Sequence, residues 1–205
     1  MNERTIVAIS AGLGQPSSTR LLADRLTEAT TAELASRNVG ARVETIELRG
    51  IAHEIVNAML TGFPTGSLRE ALDTMTAADG LVLVSPLFTT TYSGLFKSFI
   101  DVIDKDSLTG MPVLLGATGG TARHSLALEY SMRPLLTYLR ADVVPTSVFA
   151  ATDDWSGEVD TVNPLPARIR RAGKELADRV AERPADGAAG LYDDVPSFDQ
   201  MLRGI

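Results

Sequence analysis

The chain has 205 residues, 22% of them charged, and a formal net charge of −7; that length suits one α/β domain with a full core, and that charge offers no basic field for nucleic acid or an anionic membrane. It contains no cysteine, which excludes disulfides, thiolate nucleophiles and cysteine-ligated metals, and which fits a cytoplasmic protein. The opening MNERTIVAIS turns polar too soon for a signal peptide, and no apolar run approaches the roughly 20 residues that span a bilayer.

In chain order, Thr5 to Ser10 reads as a buried strand that stops at a turn. From Ser18 the apolar positions Leu21, Leu22, Leu26 and Ala29 keep a helical period to about Arg37, where Asn38 and Gly40 end it. Arg42 to Leu48 alternates and carries β-branched residues, as a second strand does. Gly50 to Gly66 reads as a long irregular connection. Ser67 to Ala78 predicts a helix, with Ser67 and Glu70 at capping-box spacing. Leu81 to Ser85 is a wholly apolar strand, the pattern expected when both faces are covered. A helix over Ser93 to Asp104, a strand over Met111 to Ala117, a helix over Thr121 to Leu139 with a boundary or kink at Pro134, and a last strand over Asp142 to Phe149 follow. A basic amphipathic helix then runs from Pro164 to Arg183.

Strands alternating with helices predict one doubly wound α/β domain, residues 1–183, around a five-stranded parallel sheet. Residues 184–205 read as a flexible linker and a short apolar segment, with Phe198, Met201, Leu202 and Ile205 at i, i+3, i+4 and i+7. Ligands of such sheets bind at the carboxyl ends of the strands, at the topological switch point. That rule selects the loops after Ser10, Ser85 and Ala117.

The first of these is SAGLGQPSST, Ser10 to Thr19. A strand end entering a helix N-terminus leaves free N–H groups and the positive end of the helix dipole, which together attract phosphate. Ser17, Ser18 and Thr19 add hydroxyls, though one of the serines serves equally as a plain helix cap. There is no Gly-Lys-Ser/Thr, so the loop is not a nucleoside-triphosphate loop. Gly12-x-Gly14-x-x-Ser17 is a dinucleotide-type pattern without its third glycine, and Glu47 could act as the acidic ribose ligand, though it lies further on than the usual ~20 residues. The second loop, SPLFTTTYSGLFKSFID, follows an apolar strand with an apolar pair, three threonines and a tyrosine. That composition suits a flat heteroaromatic ring with polar edges.

With those stretches in hand, the chain resembles the NAD(P)H-dependent FMN reductases of the flavodoxin-like superfamily, over Ile6 to about Ala150. S-x-G…SST is similar to that family's FMN phosphate loop, PLFT…YSGLFKSFID to its isoalloxazine loop, and GATGG (Gly116 to Gly120) to the glycine-rich loop along the far edge of the ring. In detail, GGTARHSLALEYSMRPLLTYLRA resembles an actinobacterial-type subgroup. The resemblance implies that Ser10, Ser17, Ser18 and Thr19 hold the phosphate. It implies that Pro86, Leu87, Phe88, Thr89, Tyr92 and Ser93 contact ribityl chain and ring, and that Thr118, Gly119 and Gly120 close the pocket. The backbone N–H groups of Gly119 and Gly120 would lie near the pyrimidine edge. The first loop departs from the family's commoner form, which carries an arginine soon after its first serine; here Leu13 and Gly14 stand there, and Arg20 is the nearest candidate.

The implied reaction is hydride transfer from NAD(P)H to FMN, with no catalytic side chain required because the cofactor carries the chemistry. A recipient monooxygenase for the reduced flavin and a homodimer or homotetramer are further implications. Two other functions fit the same residues: an FMN-containing NAD(P)H:quinone or azo-type reductase, and a non-enzymatic FMN electron carrier. His53 and His124, without clustered carboxylates, predict no metal site, and no Gly-x-Ser-x-Gly elbow supports a hydrolase.

Overall fold

Alternation along the central strands builds two cores. In β1 (Arg4–Ser10), Val7 and Ile9 join one apolar cluster while Ile6 and Ala8 join another. In β3 (Gly80–Phe88), Leu81 and Leu83 go one way and Val82 and Val84 the other. A strand whose side chains alternate between two buried faces must lie in the middle of three layers. The computed structural model, which describes residues 3–155 and 162–184, has that architecture. Helices α1 (Ser18–Ser36) and α6 (Leu165–Glu182) cover one face. The other is covered by α2 (Ala52–Thr61), α3 (Gly66–Thr76), α4 (Gly94–Asp101) and α5 (Arg133–Tyr138).

The main sheet runs β2-β1-β3-β5, with β2 at Ala41–Glu47 and β5 at Pro112–Gly119. These strands pair in parallel, and the register sets Ser10 beside Val84, and Pro86 beside Thr118. The carboxyl ends of β1, β3 and β5 therefore share one edge. The order is that of a flavodoxin-like sheet, and the switch point lies between β1 and β3. Among the described residues, no helix is long and apolar enough to cross a membrane.

The structure corrects the expected elements at several points. The fifth sheet position is occupied by two short strands, β6 (Asp142–Val143) and β7 (Val148–Ala151), which pair with successive parts of β5. Pro145, which has no N–H to give a ladder, stands between them. The groups released by the break are satisfied elsewhere. Arg133 donates to the carbonyls of Val144 (3.0 Å) and Pro145 (3.0 Å), and Glu175 accepts from the Thr146 N–H at 2.7 Å.

The stretch from Gly50 to Gly66 is not irregular: it contains α2, ended by Gly62 at φ 79°. Ser67 is no cap either. Thr65 precedes α3 and makes no side-chain cap bond, so the capping box does not form. Lastly, the helix after the glycine-rich loop is divided into a 3₁₀ turn at Ala122–His124, a π turn at Leu128–Met132, and α5. Pro134 sits in the first turn of α5, where its missing N–H costs nothing. Residues 185–205, which hold the predicted linker and apolar segment, lie outside the described residues.

A small antiparallel hairpin joins β3 to β4 (Thr91–Tyr92), with Phe88 opposite Thr91. Its two turn residues, Thr89 and Thr90, have φ of 51° and 74°. Positive φ at both positions suits a type I′ turn, but that turn normally takes Asn-Gly, and a β-branched residue is strained there. Replacing Thr89 with Asn and Thr90 with Gly is expected to stabilise the protein by about 1–3 kcal/mol in denaturant unfolding. An unchanged midpoint would show that the threonines sit there without strain.

Candidate functional site

The first loop is shaped by two close approaches. A Cβ on Gly12 would lie 2.2 Å from Ser17 Oγ, so only glycine lets the chain fold back onto the helix start. Ser17 is the N-cap of α1, its Oγ accepting from the Arg20 N–H at 3.2 Å. With Leu21 N–H bonded to the Ser17 carbonyl at 3.0 Å, the N–H groups of Ser18 and Thr19 are those the helix leaves without intrahelical partners. Thr19, buried, bonds across the sheet edge to Thr118: the two hydroxyl oxygens are 2.9 Å apart. This bond ties the first loop to the third.

Arg20 turns away from the loop. Its guanidinium donates to Asp24 at 2.8 Å and to Glu47 at 2.9 Å. The hydrogen bond to Asp24 raises its pKa; partial burial opposes this, and the charges of Asp24 and Glu47 add to the rise. Glu47 is thereby engaged by an arginine rather than free for a ribose.

These loops surround a cavity of about 460 Å³. Ser17, Ser18 and Thr19 form one end, Pro86, Leu87 and Phe88 a wall, and Thr118, Gly119 and Gly120 the opposite side. Nine of the residues expected from the sequence are thus brought together on one surface. A Cβ on Gly119 would stand 3.0 Å from the Phe149 ring and press on it, whereas Gly120 faces open space.

Four expected residues lie off the lining. Ser10 is buried beneath the loop, its Oγ 3.5 Å from the Gly12 N–H. Thr89 is in the hairpin turn. Tyr92 packs on Phe96, with ring centroids 5.8 Å apart. Ser93 is buried as the N-cap of α4, accepting from Phe96 N–H at 3.1 Å while its own N–H donates to Ser85 Oγ at 3.0 Å. Ser10 and Ser93 support the loops from below, whereas Thr89 is exposed. His124 is exposed on the 3₁₀ turn and off the cavity, and no group of three or more metal-ligating side chains occurs among the described residues.

Sequence reasoning missed the fourth wall. Ala150, Thr152 and Trp155, at and beyond the end of β7, line the cavity. The Thr152 N–H donates to the Gly119 carbonyl at 3.1 Å. Asp154 accepts from the Ala151 N–H at 2.8 Å and from Arg168 of α6 at 2.6 Å. A half-buried salt bridge thus braces the segment that carries Trp155. The available signal was the chain's one tryptophan, a few residues past a strand end.

Among the described residues, the lining holds no acidic, basic or imidazole side chain; its polar groups are the hydroxyls of Ser17, Ser18, Thr19, Thr118 and Thr152. Hydroxyls, backbone N–H groups and a helix dipole gather at one end, suited to an anion of phosphate type. Apolar side chains from β3 and Trp155 flank the rest, suited to a flat ring. The cavity can bind and orient, and among the described residues no base lines it to activate a hydroxyl.

Comparison with known proteins agrees with this geometry. The family whose sequence model matches residues 4–156 is described as NADPH-dependent FMN reductase. The chain is 38% identical over 173 residues to an FMN reductase (NADPH) of Pseudomonas aeruginosa, covering 84% of this chain and 90% of that protein. It is 36% identical over 172 residues to the NADH-dependent FMN reductase SfnF of Pseudomonas fluorescens, covering 84% and 89%. A crystal structure of an oxidoreductase from Corynebacterium diphtheriae superposes with a TM-score of 0.84 at 46% identity, covering 90% of this chain and 100% of that one.

Proposed function

The chain belongs to the NADPH-dependent FMN reductase family, and on that premise we propose that its cavity holds FMN with the phosphate at the start of α1. The protein is an NAD(P)H:FMN oxidoreductase. When bound, flavin would supply the hydride-accepting chemistry, and Ser17, Ser18, Thr19 and the walls of the cavity would hold it. The observation that carries the assignment of the site is the set of donors at one end of the cavity. Ser17, Ser18 and Thr19 stand at a helix N-terminus, joined by hydrogen bond to Thr118 on the opposite wall.

The chain's own residues bind and orient. The free N–H groups of Ser18 and Thr19 and the dipole of α1 hold the phosphate. Leu87, Phe88 and Trp155 provide apolar surface beside the ring and exclude water. Gly120, with open space where a side chain would be, lets its backbone N–H approach the pyrimidine edge and stabilise the negative charge of reduced flavin.

The test is anaerobic oxidation of NADH and NADPH by the purified protein, with FMN, FAD, riboflavin and a quinone compared side by side. The proposal expects nicotinamide oxidation that is most efficient with FMN. Oxidation efficient only with the quinone would make the protein a quinone-type reductase, and no oxidation at all would make it an electron carrier.

We further propose a homo-oligomer that passes reduced flavin to a monooxygenase. Support comes from the large apolar side chains that Phe88, Leu126, Tyr130 and Tyr138 expose to solvent, the kind of surface that marks protein contacts.

A further inference from the structure

Gly173 of α6 lies directly against Ala29 of α1. Beside that contact, between Leu21–Ala29 of α1 and Leu165–Arg170 of α6, is a second cavity of about 530 Å³. Its lining is apolar at Leu21, Ala29, Trp155, Leu165, Pro166 and Ile169. Trp155 is therefore a wall of both cavities. The proposed flavin site uses only one side of it.

We propose that this groove is the docking site of the chain's own C-terminal segment, residues 197–205, which lays Phe198, Met201, Leu202 and Ile205 into it and covers Trp155 from the groove side. The spacing of those residues makes one apolar face of a short helix. A helix of that length does not hold in water alone and needs a surface to form on. The groove offers apolar surface of matching character.

Reach and charge favour this occupant. From Ile169 to Pro184 the chain travels about 22 Å along α6, at 1.5 Å per residue. Residues 185–197, rich in glycine and alanine, have a root-mean-square span of about 20 Å as a coil. The linker thus returns the segment to the groove without stretching. A flexible linker of that match gives an effective concentration in the millimolar range, so a weak site is filled. Residues 185–205 carry Asp186, Asp193, Asp194 and Asp199 against Arg203 alone. On α6, Arg170 and Arg171 are exposed and have no acidic partner among the described residues. Of the charged residues on the groove, Arg25 pairs with Glu28 and Asp154 with Arg168, which leaves Arg170 as its cation without an acidic partner among the described residues.

Trp155 is the only tryptophan, so its fluorescence reports the groove directly. The experiment compares the full chain, a truncation lacking residues 197–205, and the full chain carrying Phe198→Ser with Leu202→Ser, at matched flavin content. The truncation and the double variant are expected to shift Trp155 emission to the red and to make it more accessible to acrylamide. A peptide of residues 190–205 added to the truncated protein should reverse the shift with a Kd below about 1 mM, since docking in the intact chain must be won at millimolar effective concentration. Leu21→Arg, a change at a half-exposed groove position, should block that reversal. Identical emission from all three proteins overturns the proposal, as does a peptide that fails to bind. Protection in the full chain that disappears on dilution also overturns it, by assigning the groove to a second copy.

Discussion

Replacing Ser17 and Thr19 together with alanine is expected to weaken FMN binding by about 1–3 kcal/mol more than it weakens riboflavin binding, through loss of charge-assisted hydrogen bonds to the phosphate. The difference between the two flavins is the informative quantity, because each substitution also has a structural effect. Ser17 caps α1, and a lost cap costs roughly 1 kcal/mol of stability whatever the ligand. Thr19 bonds to Thr118, so its removal loosens a wall that both flavins touch. These shared losses cancel when FMN is compared with riboflavin, and the phosphate contribution remains. Fluorescence titration of both flavins measures it. Equal losses would place the phosphate away from the start of α1.

The second large effect concerns Gly173. In an exposed helix interior, glycine to alanine normally stabilises by about 1 kcal/mol. Here the sign should reverse. A Cβ at Gly173 would stand 2.7 Å from Ala29 Cβ and 2.9 Å from both the Ala29 carbonyl carbon and the Thr30 nitrogen. Two of those atoms are backbone, which cannot rotate aside. Relief requires α1 and α6 to separate, and overpacking of this kind costs about 1–3 kcal/mol. Gly173→Ala should therefore lower Tm by about 2–4 °C per kcal/mol lost, and Gly173→Val by more. A melt in which the alanine variant is more stable than the parent would refute the close packing. Because α1 carries the phosphate loop at its other end, the variant is also expected to weaken FMN binding.

The alternation of strand and helix, and the three strand ends that face the cavity, were legible because burial on both faces writes a continuous apolar run and a turn must follow it. The hydroxyls of Ser17 to Thr19 were equally legible, being grouped after glycines at a helix start. What escaped has particular physical reasons. Helix α2 buries Ile55 and Ala58 but exposes Val56, Met59 and Leu60. Its buried positions are spaced as in a helix, but the apolar residues on the exposed side mask that spacing, and the flanking glycines read as a loop. The last strand reads as continuous because its residues are apolar on both sides of Pro145. Only two distant partners reveal where the ladder stops: Arg133, which donates to the Val144 carbonyl, and Glu175, which accepts from the Thr146 N–H. Trp155 reaches the cavity through a salt bridge from Asp154 to Arg168, a contact between elements that no local pattern encodes. Tyr92 and Ser93, expected in the site from their motif, stand beside the cavity lining, where one packs on Phe96 and the other caps α4.

The neutrality of the cavity lining has a consequence for how the protein meets changing conditions. Among the described residues its donors are hydroxyls, amides and a helix dipole, and none of the lining side chains is ionisable. These donors keep their charge state as acidity changes, whereas the second ionisation of a phosphate monoester falls near pH 6. Below that value the guest loses part of the charge that the helix terminus attracts, so at this end of the cavity the protonation of what enters tunes its capture.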